Sequence, residues 1–113
     1  MMRSNKYHAK KVTVNGIKFD SKLEANRWLE LKLMEKAGRI SNLRRQVEFV
    51  LQPSFRKNGK TIRKISYFAD FVYIENGFTI IEDTKGIKTD VFRLKKKLFE
   101  YKFPELTIKE VTK

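Results

Sequence analysis

Residues 65–86 read ISYFADFVYIENGFTIIEDTKG, and they carry the clearest secondary-structure signal in the chain. Two β-prone runs flank Asn76-Gly77, the residue pair that most strongly indicates a tight β-hairpin because both residues tolerate positive φ. A two-residue turn at this position pairs Glu75 with Phe78 and sets the partner of every residue farther out. The stretch therefore predicts two antiparallel strands with a defined register.

Counting outward from the turn places two acidic residues opposite each other. Asp70 faces Asp83, and the alternation of side chains along a strand places Lys85 beside Asp83 on the same face. Directly opposed residues have Cβ atoms roughly 4.5–5.5 Å apart, so the two carboxylates repel each other unless something compensates their charge. The register therefore predicts a cluster of two acids and one lysine.

A divalent cation would supply that compensation. Asp70 and Asp83 would provide two oxygens to Mg²⁺, which keeps several waters and needs few carboxylates when it acts on phosphates. Lys85 would then stabilise phosphoryl charge, or orient or help deprotonate an attacking water. The competing interpretation makes both acids solvated groups on an exposed face, with Lys85 neutralising one of them. Asp70 favours the metal interpretation because it interrupts the apolar run YFADFVYI.

The length and composition indicate one small folded unit. The 113 residues suffice for one domain with a modest core. We expect residues 1–10 to form a flexible basic arm and residues 11–113 to form a single domain. A hydrophobic content of 41%, with 12% aromatic residues, is enough for folding, so the basic character does not indicate disorder.

The charge points to a polyanionic partner. The chain has 26 lysines and arginines against 13 acids, a formal net charge of +13, and nucleic acid is the first candidate for such a field. No long basic amphipathic helix or lipidation signal supports an anionic membrane surface instead. The absence of cysteine and the single histidine, His8, argue against disulfides and a zinc site. With no signal peptide or apolar span visible, we expect a cytoplasmic protein.

Turn and capping residues divide the rest of the chain. Asn15-Gly16 indicates a first short hairpin, and Ser21 with Glu24 three residues later forms a capping box that begins a helix. The predicted elements are this hairpin, a helix from Ser21 to Ala37, strands at 43–52, 62–74, 78–85 and 106–111, and a second helix from Thr89 or Asp90 to Tyr101.

This order predicts an α/β fold with a mixed sheet flanked by helices. Three strands form an antiparallel meander, and the last strand joins through a helix as a parallel neighbour, by a right-handed crossover. The first helix is apolar on more than one face, which is compatible with a partner chain on its second side. The buried stripe predicted for the second helix is Val91, Leu94, Leu98 and Tyr101.

The element order, with an acid on the second core strand and D/E-x-K on the third, resembles the PD-(D/E)XK phosphodiesterase superfamily, which includes type II restriction enzymes and archaeal Holliday-junction resolvases. Three phrases are similar to a small phage- and prophage-borne subfamily of that fold: KYHAKKVTVNGIKFDSKLEA at 6–25, ELKLMEKAGRISNL at 30–43 and IIEDTKGIKTDVFRLKKKLFEY at 80–101. The likeness extends from about Lys6 to Val111. It implies a restriction-endonuclease-like core and a phage or prophage protein that acts in a bacterial host.

The resemblance also implies roles for individual residues. Asp70 and Asp83 become metal ligands, the backbone carbonyl of Thr84 becomes a further ligand, and Lys85 becomes the catalytic lysine. Glu24 matches the acid that many members present from the first helix toward the metal. The capping box alone also explains a glutamate at this position, so both roles stay open.

Three other residues bear on the resemblance less directly. Ala69 stands where the superfamily name has proline, which members often lack. Gln46 resembles a strand glutamine found near some of these sites. His8 lies in the basic arm without a visible partner that would position it for catalysis, so we interpret it as a surface residue.

The implied function is a Mg²⁺- or Mn²⁺-dependent DNA endonuclease that hydrolyses phosphodiester bonds. We expect a homodimer that acts on branched recombination or replication intermediates, as Holliday-junction resolvases do, because so small a core has little surface for reading bases. Neither a membrane nor an organic cofactor is expected. The residues expected to hold the DNA backbone are Lys10, Lys11, Lys88, Arg93 and Lys96.

Two alternatives remain open at this point. In the first, the protein is a non-catalytic nucleic-acid-binding module whose acids are structural and whose positive field binds the ligand. In the second, it is a nuclease of the same fold that acts on flaps or single-stranded ends. Cleavage assays on defined substrates separate all three interpretations.

Overall fold

The computed structural model describes residues 10–84 and 88–112, and it confirms the predicted mixed α/β class. The predicted arm up to Ala9, with His8, and the predicted catalytic residue Lys85 lie outside the described residues. The elements, in chain order, are β1 (Val12–Val14), β2 (Ile17–Phe19), α1 (Lys22–Lys36), β3 (Ser41–Gln52), β4 (Phe55–Lys57), β5 (Lys60–Ile62), β6 (Ile65–Glu75), β7 (Phe78–Thr84), α2 (Asp90–Lys102) and β8 (Ile108–Val111).

A four-stranded sheet with strand order β3-β6-β7-β8 forms the centre of the molecule. β3, β6 and β7 are antiparallel, and β8 is parallel to β7, as predicted. The β6–β7 hairpin has the predicted register, from Glu75↔Phe78 to Phe71↔Glu82. Its two turn residues have φ of 52° and 82°, the positive values that this tight turn requires.

α1 begins and ends where its capping residues predict. Ser21 Oγ accepts a hydrogen bond from Glu24 N, and Glu24 Oε1 accepts one from Asp20 N, so the capping box forms. At the other end Gly38 has φ of 77°, the left-handed conformation in which many helices end. Leu31 is fully buried on the side of the helix that faces the sheet.

α2 begins at the predicted cap but buries a different face. Thr89 Oγ1 accepts a hydrogen bond from Phe92 N. Phe92 and Phe99 are buried, and the Phe99 ring packs edge-on against Phe49 and Tyr67. Aromatic rings remove more apolar area from water than leucines do, so they decide which face is buried. The predicted buried stripe is wrong, because all of its members are exposed: Val91, Leu94, Leu98 and Tyr101.

The stretch before β6 also differs from the prediction. The central strand was expected to begin at Ile62, but β6 begins at Ile65. Residues 55–62 form the separate hairpin β4–β5 around Asn58-Gly59, and this hairpin is a two-stranded sheet of its own. None of the described helices combines the length and the apolar character needed to cross a membrane.

Two hydrophobic clusters fill the space between the sheet and the helices. We call them the α1 cluster and the α2 cluster after the helix that each includes. The α1 cluster contains Leu31, Ile40, Phe71 and Tyr73. The α2 cluster contains Tyr67, Ala69, Val72, Ile81, Phe92, Phe99 and Ile108.

Candidate active site

β6 reverses its faces at Asp70. Tyr67 and Ala69 belong to the α2 cluster, whereas Phe71 and Tyr73 belong to the α1 cluster. In a regular strand these alternate residues would all lie on one face of the sheet. Asp70 therefore sits where the odd-numbered residues of β6 change from the α2 cluster to the α1 cluster, while Val72 takes over on the α2 side. Asp70 itself belongs to neither cluster.

β3 makes the same reversal beside it. Leu43 packs against the α1 cluster and Val47 against the α2 cluster. Gln46, between them, has φ of 50°, a left-handed conformation that costs a non-glycine residue about 1–2 kcal/mol. The register of β3 with β6 places Gln46 opposite Asp70. The paired reversal thus leaves two polar residues side by side in the sheet.

Gln46 joins two carboxylates that come from different elements. Its Nε2 donates to Glu24 Oε2 at 3.2 Å and to Asp70 Oδ1 at 3.1 Å. Glu24 is 2% exposed on α1, and Asp70 is half-buried on β6. We call Glu24, Gln46 and Asp70 the carboxylate group. Two of the predicted site residues are therefore brought together, through a glutamine that the sequence singled out only by resemblance.

The electrostatics of the carboxylate group disfavour two full negative charges. Burial raises the pKa of Glu24, and the nearby charge of Asp70 raises it further. The N–H of Asp20 and the guanidinium of Arg45, which lies 3.9 Å from Glu24 Oε2, act in the opposite direction without reversing the shift. A cation at this position would relieve the repulsion between the two carboxylates.

β7 reaches the carboxylate group through Thr84. Its backbone N and its Oγ1 both donate to Asp70 Oδ2, each at 2.8 Å. The β6–β7 ladder ends at Phe71↔Glu82. Beyond this pair, the Asp70 side chain accepts a hydrogen bond from the Thr84 N–H. Thr84 thus contacts Asp70 as a donor, whereas the role predicted for it involves its carbonyl.

Asp83 is buried against the α2 cluster. It is 1% exposed, and its Oδ2 accepts a hydrogen bond of 2.6 Å from Tyr67 OH. Burial and the charges of Asp83 and Asp70 raise the pKa of Tyr67, so the phenol remains a donor. Both acids therefore lie near this phenol. Asp70 and Asp83 lie just beyond Phe71↔Glu82, the last pair of the ladder. Asp70 accepts hydrogen bonds from Gln46 and Thr84, whereas Asp83 accepts one from Tyr67.

The comparison with known families gives a match over nearly the whole chain. A family model described as a protein of unknown function, DUF1064, matches residues 4–113. The chain belongs to the DUF1064 family. The comparison with curated proteins gave no match, and the comparison with solved structures gave none either.

Two clefts open beside the acids of the DUF1064 chain. The first has a volume of about 300 Å³ and lies next to the carboxylate group; the second has about 250 Å³ and lies next to Asp83. The first is lined by Lys18, Asp20, Glu24, Arg45 and Gln46. The second is lined by Tyr67, Phe68, Asp83, Thr89, Val91, Phe92 and Lys95.

The cations predicted to bind DNA near α2 are engaged in ion pairs. Lys88 Nζ lies 2.8 Å from Glu110 Oε1, and Lys96 contacts the same carboxylate. Arg93 Nη1 lies 3.2 Å from Asp90 Oδ1. A phosphate would have to compete with these carboxylates for each cation.

The remaining predicted site residues are two lysines that precede β1 and the undescribed Lys85. Lys10 is exposed just before β1. Lys11 is also exposed, and its Nζ lies 3.5 Å from Asp20 Oδ1. Lys85 directly follows Thr84 in the sequence and lies in the undescribed range 85–87.

One buried charge cluster was missed at the sequence level. Arg27 donates to both carboxylate oxygens of Glu82, at 2.8 and 2.7 Å, and Tyr73 OH donates to Glu82 as well. Burial acts to raise the pKa of Glu82, but these hydrogen bonds outweigh it and the net shift is downward. The only sequence signal was a glutamate inside an apolar strand. The pair ties α1 to β7 and so positions Thr84.

The carboxylate group offers a metal ion two acidic side chains, Glu24 and Asp70. Within residues 10–84 and 88–112, no three acidic or histidine side chains form a group able to hold a metal ion. Glu24 and Asp70 share the Gln46 amide, so their carboxylates are close neighbours with oxygen donors only. Mg²⁺ commonly takes one or two protein carboxylates and keeps several waters. The donor set therefore fits Mg²⁺ or Mn²⁺ and does not fit zinc.

Proposed function

We propose that this DUF1064 protein is a metal-dependent DNA endonuclease that hydrolyses phosphodiester bonds. The observation that supports the proposal most is the carboxylate group, where Gln46 holds Glu24 and Asp70 together. Three elements, α1, β3 and β6, meet there at the point where two strands reverse their faces. Burial and then the charge of Asp70 raise the pKa of Glu24, and a bound cation would offset the repulsion between the two carboxylates.

The residues of the chain take distinct parts in this proposal. Glu24 and Asp70 would hold Mg²⁺ or Mn²⁺. Asp83 would join them only by turning away from Tyr67 OH, because no three acids of the described residues form a metal-binding group as the structure stands. The ion, when bound, would supply a more acidic water and would offset charge on the phosphate. Thr84 fixes the Asp70 side chain through two hydrogen bonds. Lys85, next to Thr84 in the sequence, would stabilise phosphoryl charge.

The proposed substrate is branched DNA, bound by a homodimer. The net charge of +13 supports a polyanionic substrate. The outer side of α1 supports a second copy of the chain, because Leu29 is 40% exposed and Leu33 is 69% exposed there. The choice of branched intermediates comes from the resemblance to Holliday-junction resolvases.

A cleavage assay tests the proposal directly. Supercoiled plasmid, linear duplex, a flap and a four-way junction are incubated with the protein in Mg²⁺, Mn²⁺ or EDTA. Asp70→Asn and Asp83→Asn should each lower metal-dependent cleavage by about 100-fold or more, the scale for losing one charge-stabilising group, while DNA binding remains. Glu105→Gln, at an exposed position, is the matched control and should cleave normally. Cleavage that survives both aspartate substitutions contradicts the proposal.

A melting experiment tests the metal site without any substrate. Binding of Mn²⁺ to the folded state alone should raise Tm, with a gain of about 2.7 kcal/mol at 100 times Kd. Asp70→Ala should abolish the rise, whereas Glu105→Ala should keep it. A melting curve that does not move up to millimolar Mn²⁺ counts against the site.

A non-catalytic DNA-binding protein is the second candidate. The observation in its favour is that the acids have structural partners, since Glu24 completes a helix cap and Asp70 takes hydrogen bonds from Gln46 and Thr84. DNA binding without cleavage in any metal, on all four substrates, would support this candidate. A cut confined to the flap or to single-stranded ends would instead support a flap nuclease of the same fold.

A further inference from the structure

The hairpin β4–β5 stands away from the packed core. All six of its strand residues are exposed, and its strands pair with each other in a sheet separate from the central one. A lone two-stranded hairpin is marginally stable in water. Burial in the core therefore does not explain why this hairpin exists.

The hairpin fixes its own shape instead. Asn58 and Gly59 have φ of 52° and 76°, which gives a tight turn of the I′ type. Arg56 spans the ribbon, since Nη1 donates to Thr61 Oγ1 and Nη2 donates to Gly59 O, both at 2.8 Å. The ribbon is thus preorganised without help from the core.

Its charges repel one another as the structure stands. Residues 53–64, PSFRKNGKTIRK, contain five cations and no acid. Lys57 pairs directly with Lys60 next to the turn, and like charges directly opposite each other destabilise a ribbon. Lys57, Lys60 and Arg63 form no ion pair with any other described residue, unlike Lys88 and Lys96 near α2. A polyanion would turn this repulsion into attraction.

The dimensions of the ribbon fit one groove of DNA. The major groove is about 12 Å wide and admits a two-stranded β-ribbon, whereas the minor groove is about 6 Å wide. Phe55 and Ile62 pair on the same face as Lys57 and Lys60, and they are 44% and 38% exposed. Apolar side chains on that face can contact thymine methyl groups at the groove floor, while the lysines reach the phosphates.

We propose that β4–β5 is a DNA-binding ribbon that enters the major groove of a duplex, with Lys57 and Lys60 on the phosphates. It rests on the proposed function only for the choice of DNA as partner. The ribbon precedes β6, which begins at Ile65. Asp70 lies five residues farther along that strand, roughly 17 Å from Ile65. A duplex gripped by the ribbon would therefore be held about half a helical turn from the carboxylate group.

The test is DNA binding in EDTA, so cleavage plays no part. A labelled 30-base-pair duplex is titrated with wild type, with Lys57→Ala/Lys60→Ala and with the matched control Lys22→Ala/Lys97→Ala, which removes one exposed lysine from each helix. The ribbon variant should bind about tenfold more weakly, and its salt slope should fall by roughly 2. The control should change less than about twofold. Equal losses in both variants, no loss in the ribbon variant, or no binding by wild type would overturn the proposal.

Methylation protection then identifies the groove. Wild type should protect guanine N7 in the major groove from dimethyl sulfate, and the ribbon variant should lose that protection. Protection confined to adenine N3 would overturn the placement. Unchanged melting of the ribbon variant confirms that its fold is intact. A protein that binds through the ribbon but never cleaves would contradict the proposed endonuclease and leave this inference standing.

Discussion

The two small hairpins β1–β2 and β4–β5 share a design but differ in their surroundings. Each has three residues per strand and an Asn-Gly turn with two positive φ values. In β1–β2, Phe19 is 1% exposed, its ring centroid lies 6.2 Å from that of Trp28, and the Arg45 guanidinium lies over it at 4.6 Å. In β4–β5 every strand residue is exposed.

The two hairpins show that forming a hairpin and packing it against the core depend on different residues. The Asn-Gly turn determines that a hairpin forms, because few residue pairs accept both left-handed conformations. The strand residues then determine whether the hairpin packs: VTV and IKF supply four apolar side chains and one cation, whereas FRK and KTI supply two apolar side chains and three cations. The first hairpin therefore belongs to the core, and the second is left for a ligand.

The largest expected effect comes from removing one aromatic ring from each hairpin. Phe19→Ala should lower the free energy of unfolding by about 3–5 kcal/mol, because it removes a fully buried ring and leaves a cavity. Phe55→Ala should change it by less than about 0.5 kcal/mol, because the ring is 44% exposed on the isolated ribbon. Urea unfolding of both variants measures the contrast. Similar losses would mean that β4–β5 is part of the cooperative core.

The turn glycines should separate global from local stability. Gly16 and Gly59 have φ of 80° and 76°, so alanine at either position costs about 1–2 kcal/mol of backbone strain. Gly16→Ala should lower global stability by that amount, because β1–β2 unfolds with the core. Gly59→Ala should leave global unfolding unchanged and speed amide exchange at Ile62, whose pair with Phe55 is a hydrogen-bonded one, because only the ribbon opens. Equal shifts in the urea midpoint of the two variants would contradict this assignment.

A single charge reversal should trade ribbon stability against DNA binding. Lys57→Glu places an acid opposite Lys60 and should stabilise the ribbon by about 0.2–1 kcal/mol. Amide exchange in β5 should slow accordingly, while the affinity for duplex DNA falls. Lys22→Glu on α1 makes the same change in net charge and should alter neither quantity as strongly. Tighter DNA binding by Lys57→Glu would refute the role assigned to the ribbon.

The smallest expected effect is a pH dependence of the free energy of unfolding. It comes from Glu24, which hydrogen-bonds the residue directly after β1–β2. Asp20 follows β2 and donates its N–H to Glu24, whose pKa is raised above 4.5 by burial and by Asp70. A raised pKa means that the folded state holds the proton more tightly, so this contribution is full below pH 4.5 and is lost as pH rises through the raised pKa. Glu24→Gln should remove that slope in urea unfolding between pH 4 and 7. Phe55→Ala should run parallel to wild type; a Glu24→Gln curve parallel to wild type would contradict the assignment.

Local chemistry made much of the fold predictable. The Asn76-Gly77 turn determined the β6–β7 register, and Ser21 with Glu24 determined where α1 begins. The buried face of α2 was not predictable in the same way. Leucine spacing favoured one side, but the aromatic cluster around Phe99 decided the matter through partners that lie far away in the sequence.

The candidate site was predictable in its residue types and less so in its arrangement. The acids Glu24 and Asp70 were both singled out, yet only the tertiary structure joins them through Gln46. Counting outward from the Asn76-Gly77 turn placed Asp70 directly opposite Asp83, whereas the β6–β7 ladder ends one pair earlier, at Phe71↔Glu82. The reversal of faces at Asp70 breaks the strict alternation along β6, and it depends on a left-handed glutamine in a neighbouring strand. Such a conformation has no signature in a single sequence.

The reversal at Gln46 and Asp70 divides the interior into two halves, the α1 cluster and the α2 cluster, with these two polar residues at the boundary. Each half packs one helix against one face of the same strands, so substitutions in the two halves should add independently when they do not touch. An engineer could therefore rebuild the half around Phe99 for thermal tolerance and leave the half around Leu31 alone. Gln46 and Asp70 would keep their positions, because they lie between the two clusters and belong to neither.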